Sequence, residues 1–142
     1  MQRHLAGCLI PFVLLAAGCV SADAGSTSTV IGEPVAASVT TLSASELAPL
    51  VEAGSIVLVD VRTDEEVAEG MIPGAIHMPL ADFDPLALPD PDDAEIILYC
   101  RSSRRSGQAA QQYVEATGLS IRHLDGGILA WQAADLPVET PD

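Results

Sequence analysis

Tyr99-Cys100-Arg101-Ser102-Ser103-Arg104-Arg105-Ser106-Gly107 is the stretch that decides how the chain is read. The run before the cysteine, Glu95-Ile96-Ile97-Leu98-Tyr99, has the length and apolarity of a buried strand. After it, Ala109, Ala110, Tyr113, Val114 and Thr117 recur at helical spacing, and Gly118 is placed to stop a helix over 104–117. Cys100 therefore sits at a strand end, where a short polar loop turns into a helix. Backbone N–H groups in such a loop converge at the positive end of a helix dipole, a setting that binds anions and favours a thiolate. The six cationic residues of the chain are all arginine, and Arg101, Arg104 and Arg105 lie within five residues of Cys100. An acidic protein has no packing reason to gather half its positive charge around a core cysteine.

Working outward, the segments on both sides alternate between strand and helix patterns. Val39-Thr40-Thr41 reads as an edge strand. Ser43 with Glu46 reads as a capped helix start, with Leu47, Leu50 and Val51 as its apolar stripe and Gly54 as its end. Ile56-Val57-Leu58-Val59 is the continuous apolar run of a strand covered on both faces, and Asp60 follows at its carboxyl end. Thr63 caps a short acidic helix over 64–69, closed by Gly70; Pro73-Gly74 marks a turn before a short strand at 75–77. Residues 79–93, rich in Pro and Asp, read as a loop with at most a short helix. A strand over 120–123 and a helix from Gly127 to Ala134 complete the pattern. Such alternation predicts an α/β fold with a mostly parallel sheet, whose sites lie at the carboxyl ends of the strands. Asp60 and Cys100 both fall there.

Three groups of residues carry a resemblance. Cys100 to Ser106 resembles the active-site loop of the rhodanese family of sulfurtransferases. Val59-Asp60-Val61-Arg62, then Glu65-Glu66, Gly70 and Ile72-Pro73-Gly74-Ala75-Ile76-His77-Met78-Pro79, resembles an earlier motif of that family. Leu124-Asp125-Gly126-Gly127-Ile128-Leu129-Ala130-Trp131 resembles its closing signature. The match runs in the family order over about residues 38–138. It implies a rhodanese-like three-layer α/β fold: a mostly parallel central sheet of about five strands with helices on both faces.

The resemblance also implies a chemistry. Cys100 would attack the sulfane sulfur of a donor such as thiosulfate, hold it as a persulfide, and pass it to a thiol or cyanide acceptor. The partners are then small sulfur-containing anions or a persulfide donor, and a thiol acceptor; no metal or cofactor is required. Backbone N–H groups over Arg101, Ser102, Ser103, Arg104, Arg105 and Ser106 would hold the terminal sulfur and the donor oxyanion. Arg105, at the end of Cys-x-x-x-x-Arg, is the candidate for a fixed role, and Arg101 and Arg104 would steer anions at the mouth. Four residues between Cys and Arg is the sulfurtransferase spacing; phosphatases of this fold carry one more. Asp60, Arg62 and Glu69 are expected to form a scaffold ion pair beside the site, and Trp131 to pack in the core. Neither His77 nor His123 is read as a general base. Met71 stands where many relatives have His before Ile-Pro-Gly-Ala. The competing functions are a sulfane-sulfur carrier outside the cytosol, turning over only with a partner, and a non-catalytic partner-binding module.

Composition bounds the rest. With 142 residues the chain has room for one domain of about 100 residues plus extensions. Aromatic residues make up only 4%, so the core must be built from Val, Ile, Leu and Ala. A net charge of −14 argues against nucleic acid as a partner. Of the three cysteines, Cys8 and Cys19 lie in the N-terminal segment, which leaves no disulfide framework for the domain. Residues 1–24 read as an export signal whose apolar run, Leu9 to Ala17, is too short to span a bilayer. Leu15-Ala16-Ala17-Gly18-Cys19 resembles the lipobox of bacterial lipoproteins, with Cys19 as the lipidated residue. Leu5-Ala6-Gly7-Cys8 fits the letters of that pattern but lacks a preceding apolar run. Ala22-Asp23-Ala24 offers an ordinary cleavage site instead. Residues 20–37 read as a flexible tether, 38–138 as the domain and 139–142 as a tail. The expected location is outside the cytosol, on a bacterial membrane through a lipid anchor or, alternatively, soluble after secretion.

Overall fold

The structure, a computed structural model, describes residues 36–90 and 93–141. All of these belong to one unit, Pro34–Asp142. The export signal expected over 1–24, Cys19 and nearly all of the tether expected over 20–37 lie outside the described residues. In chain order the elements are β1 (Val39–Leu42), α1 (Ala44–Ala53), β2 (Ile56–Asp60), α2 (Asp64–Ala68), β3 (Ile76–His77), β4 (Glu95–Tyr99), α3 (Arg104–Thr117), β5 (Ile121–Leu124) and α4 (Gly127–Ala133). Two single 3-10 turns, Leu80–Asp82 and Pro85–Ala87, occupy the Pro- and Asp-rich segment.

The five strands form one sheet in the order β1-β5-β4-β2-β3, and every pairing is parallel. The two continuous apolar runs, β2 and β4, are neighbours in register from Ile56↔Glu95 to Asp60↔Tyr99. Their side chains alternate between two cores, as a period of two requires. Leu58, Ile97 and Tyr99 face Leu47 of α1 and Ile128 and Trp131 of α4. Val59, Ile96 and Leu98 face Ala109, Ala110 and Tyr113 of α3. The expected three-layer arrangement follows, with α1 and α4 on one face and α3 on the other. The parallel order also gathers the carboxyl ends of β2, β4 and β5 at one edge.

Local signals explain the element ends. Ser43 and Glu46 form a reciprocal cap, with the Ser43 N–H donating to Glu46 Oε2 at 2.8 Å. Gly54 and Gly118 end α1 and α3 in the left-handed conformation. Trp131 packs in the core as expected and donates its indole N–H to the Pro137 carbonyl at 2.8 Å. Glu139, expected in a tail, is instead tied to the domain. Its backbone pairs with Met71 through two hydrogen bonds of 2.7 and 2.9 Å, and its carboxylate accepts from the Gly74 N–H at 3.0 Å. The free backbone of Met71, just before the Pro73-Gly74 turn, needs a partner, and the chain end supplies it.

Tyr99 fixes the end of β4 from its side-chain tip. Fully buried, its hydroxyl accepts the Ile72 N–H at 3.1 Å and donates to Asp60, and burial pushes its pKa upward. Tyr99→Phe leaves the buried Ile72 N–H unpaired, which should cost about 1–3 kcal/mol. A lower urea midpoint with an unchanged slope is the expected result; an unaltered midpoint would remove this hydrogen bond from the set that stabilises the fold.

Candidate active site

At the carboxyl end of β4 the chain makes the loop read from the sequence. Cys100 is buried, and its thiol is bonded by groups of the loop that follows it. Burial alone would push the thiol pKa up. Hydrogen bonds from the Ser106 N–H and hydroxyl and from the N–H groups of Ser102 and Arg105 outweigh it, and the net shift is downward. The expected convergence of N–H groups is therefore present. It operates at the first turn of α3, a helix of 14 residues.

The loop is gripped from behind. The carbonyls of Cys100 and Arg101 point away from the sulfur and accept the N–H groups of Ile128 and Leu129 at 2.9 and 3.3 Å. That approach needs Gly127. A Cβ there would lie 2.4 Å from the Cys100 oxygen, and the residue has φ +59°. Ser103 holds the same junction from the loop side. Its φ of +78° is costly for a residue with a side chain. Its hydroxyl compensates by donating to the Leu124 carbonyl at 3.2 Å and accepting the Gly126 N–H at 2.6 Å. The closing motif thus acts as a clamp on the cysteine loop.

The arginines divide into two kinds. Arg105 is half-buried and makes a two-pronged pair with Glu66 of α2, at 2.6 and 2.7 Å. The pair holds the guanidinium in place and already matches its charge. Arg101 and Arg104 are exposed and take part in none of the ion pairs among the described residues. A cavity of about 390 Å3 lies beside the loop, lined by Arg101, Arg62, Glu66, Glu69, Leu129 and Gln132.

Asp60 and Arg62 pair beside the site, both buried, at 2.6 Å. Glu69 takes no part in the pair, which corrects the sequence reading. The Arg62 guanidinium donates to the backbone carbonyls of Glu66 and Gly70, at 3.0 and 2.6 Å. The cause is the end of α2, where carbonyls without helical partners point at the cation while the Glu69 side chain faces outward. His77 donates its Nε2–H to the Arg62 carbonyl at 3.0 Å, a contact with the backbone of the residue that pairs with Asp60. Among the described residues no three His, Cys, Asp or Glu side chains are grouped to hold a metal ion.

Two contacts were not legible beforehand. Glu66 read as part of an acidic helix and of the family motif but with no partner assigned, although its spacing from Thr63 was a capping signal; its carboxylate accepts the Thr63 N–H at 3.2 Å as well as Arg105. Ser106 and His123 meet at 3.1 Å across 17 residues, which no local pattern announces.

The Arg105 pair holds the Glu66 carboxyl far below its ordinary value, at about 2. A depressed carboxyl stabilises the fold above its unfolded pKa and loses that contribution as pH falls toward the folded one. The stability difference between the parent and Glu66→Gln should therefore be largest near neutrality and shrink between about pH 4.5 and 2. Parallel stability curves for the two proteins across that window would show that the pair contributes nothing.

Comparison with known proteins agrees with the geometry. The family model of the rhodanese-like domain matches residues 43–134. A sulfurtransferase of Allochromatium vinosum is 36% identical over 94 residues, covering 66% of this chain and 87% of that protein. An uncharacterised Synechocystis protein is 40% identical over 97 residues, covering 68% of this chain, which spans only 54% of that relative. The solution structure of the rhodanese-like domain of an Anabaena protein superposes with a TM-score of 0.62 at 27% identity, covering 71% of this chain and 79% of that one. With the cysteine loop at the end of the central strand, its closing clamp and these relatives in hand, the chain belongs to the rhodanese-like domain family.

Proposed function

We propose that the protein is a sulfurtransferase that carries sulfane sulfur on Cys100. The Cys100 thiolate attacks the outer sulfur of a donor. With thiosulfate, the new S–S bond forms as the old one breaks, and sulfite leaves with the electron pair. An acceptor thiolate or cyanide then attacks the terminal sulfur of the persulfide and regenerates the Cys100 thiolate. The observation that supports this reading is the cradle: hydrogen bonds from Ser102, Arg105 and Ser106 onto a buried cysteine, strong enough to reverse the effect of burial. The same N–H groups suit a persulfide sulfur or a donor oxyanion. Arg101 and Arg104 give incoming anions exposed positive charge on a chain whose net charge is −14. The sulfurtransferase name of the Allochromatium relative supports the same class of reaction.

Incubation with thiosulfate should add the mass of one sulfur to the intact protein, and cyanide or a thiol should remove it. Cys100→Ser should take up no sulfur and show transfer reduced by at least about a thousandfold, because a hydroxyl is a poor sulfur acceptor. Transfer near the parent level in that variant would end the proposal. Loading without repeated turnover would favour the carrier function, and no loading with any donor would favour the partner-binding module.

We further propose that the domain is displayed outside the cytosol on a lipidated Cys19. The support is the apolar run Leu9 to Ala17 followed by Gly18-Cys19. No helix of the described residues is long and apolar enough to cross a membrane. Acylation would supply the two or more chains that stable anchoring needs. Cys19→Ala should release the domain from the membrane fraction or stall its processing. Parent protein recovered soluble, with its N-terminus at Gly25, would instead establish cleavage after Ala22-Asp23-Ala24.

A further inference from the structure

Behind Ser106, which belongs to the cradle of the cysteine, lies a buried histidine that the transfer chemistry does not use, His123. Ser106 is 0% and His123 7% exposed. The Ser106 hydroxyl meets three groups: the Ser103 carbonyl at 3.0 Å, His123 Nδ1 at 3.1 Å, and the Cys100 sulfur. A hydroxyl has one proton to give. The carbonyl and a thiolate can only accept, so the proton must go to one of them. The contact with His123 must then run the other way, with Nδ1–H donating to the serine oxygen. A histidine with a bare Nδ1 would take the serine proton for itself and leave the sulfur without its side-chain donor. An Nδ1–H also polarises the hydroxyl and strengthens the bond it makes next.

We propose that His123 is a positioning residue for the Cys100 sulfur, acting through Ser106 by holding the hydroxyl proton on the side of Ser103 and the thiolate. The surroundings fit this role. His123 lies at the end of β5, between Thr41 of β1 and Leu98 of β4, neither of which is charged. From α3 it is faced by Ser106 and by Gly107, where a Cβ would come within 3.6 Å of the ring. Burial lowers the imidazole pKa against the opposing pull of the Asp125 carboxylate, which favours the neutral ring with a single N–H. The charged group that acts on the sulfur is Arg105, itself paired with Glu66.

This role rests on Cys100 as the sulfur-carrying group, yet it can be tested without any sulfur donor. The measurement is the rate of alkylation of Cys100 by iodoacetamide as a function of pH, on the full chain, with circular dichroism as a check on folding. Ser106→Ala should slow alkylation below the thiol pKa by about three- to tenfold, an upward shift of about 0.5–1 pH unit. His123→Ala should shift the profile in the same direction, and the double variant should shift no further than Ser106→Ala alone. His123→Asn places an amide N–H where Nδ1–H stood and should restore the parent profile. His123→Gln, whose amide reaches the far side of the ring, should not. A parent-like profile in His123→Ala, or shifts that add in the double variant, would overturn the proposal. If His123→Ala fails to fold, the Asn and Gln variants decide alone: equal profiles in the two would overturn it. A protein that shows the coupling but loads no sulfur would refute sulfur transfer while leaving the positioning intact.

Discussion

A buried charge pair is the constraint on which the site depends. Removing Asp60 and Arg62 from water costs several kcal/mol for each ion unless every donor and acceptor is answered. Here no buried side-chain nitrogen or oxygen among the described residues lacks a partner. The Asp60 carboxylate accepts the Arg62 N–H at 2.9 Å and the guanidinium at 2.6–3.0 Å, while two further guanidinium protons go to the Glu66 carbonyl in α2 and the Gly70 carbonyl just past its end. The Arg62 guanidinium also stands over the Tyr99 ring at 5.8 Å, and the Tyr99 hydroxyl reaches Asp60. One pair therefore ties the end of β2, the end of α2 and the last residue of β4. Cys100 is the next residue, so the loop departs from a point that is held on three sides.

From that point the loop has two faces with opposite tasks. Its N–H groups turn inward to the sulfur. Its first carbonyls turn outward to the start of α4, where only a glycine allows the approach. A loop free to relax would mix the two and spread both donors and acceptors over the sulfur. The fixed orientation gives the thiol a surplus of donors, which is the physical origin of its lowered pKa. Arg105 contributes less net charge than its position in the motif suggests, because Glu66 already answers it. The exposed arginines, 101 and 104, carry the unmatched charge.

The parts of this arrangement that were legible in the sequence are those encoded locally. The apolar runs of β2 and β4, the reciprocal cap at Ser43 and Glu46, the stop at Gly118 and the turn of Cys100 into α3 each depend on neighbours within a few residues. The parallel sheet followed from their alternation. What could not be read depends on side chains that meet across the fold. The α2 helix showed three acidic residues in its first turn, and only the packing of α2 against α3 selects Glu66 for Arg105. Glu69 looked equally able to reach Arg62, yet the guanidinium found backbone carbonyls instead. Glu139 looked like a tail because an isolated antiparallel bridge has no sequence period. His123 looked like a lone histidine on a strand because its serine partner comes from another element.

The edge position of β1 has a consequence for how the domain comes together. Among the described residues β1 pairs with β5, Val39 opposite Ile121, so the first strand and the last meet at one edge of the sheet. Closing a loop of that length costs entropy before any contact repays it, and such non-local parallel pairings form slowly. A chain made from its N-terminus exposes β1 first and can seat it last. Until β5 has been made, the neighbouring edge of β4 has no strand against it, and the clamp on the cysteine loop, which follows β5 directly, has not been built. Cys100 thus lacks the loop geometry that lowers its thiol pKa until β5 and the clamp that follows it have formed.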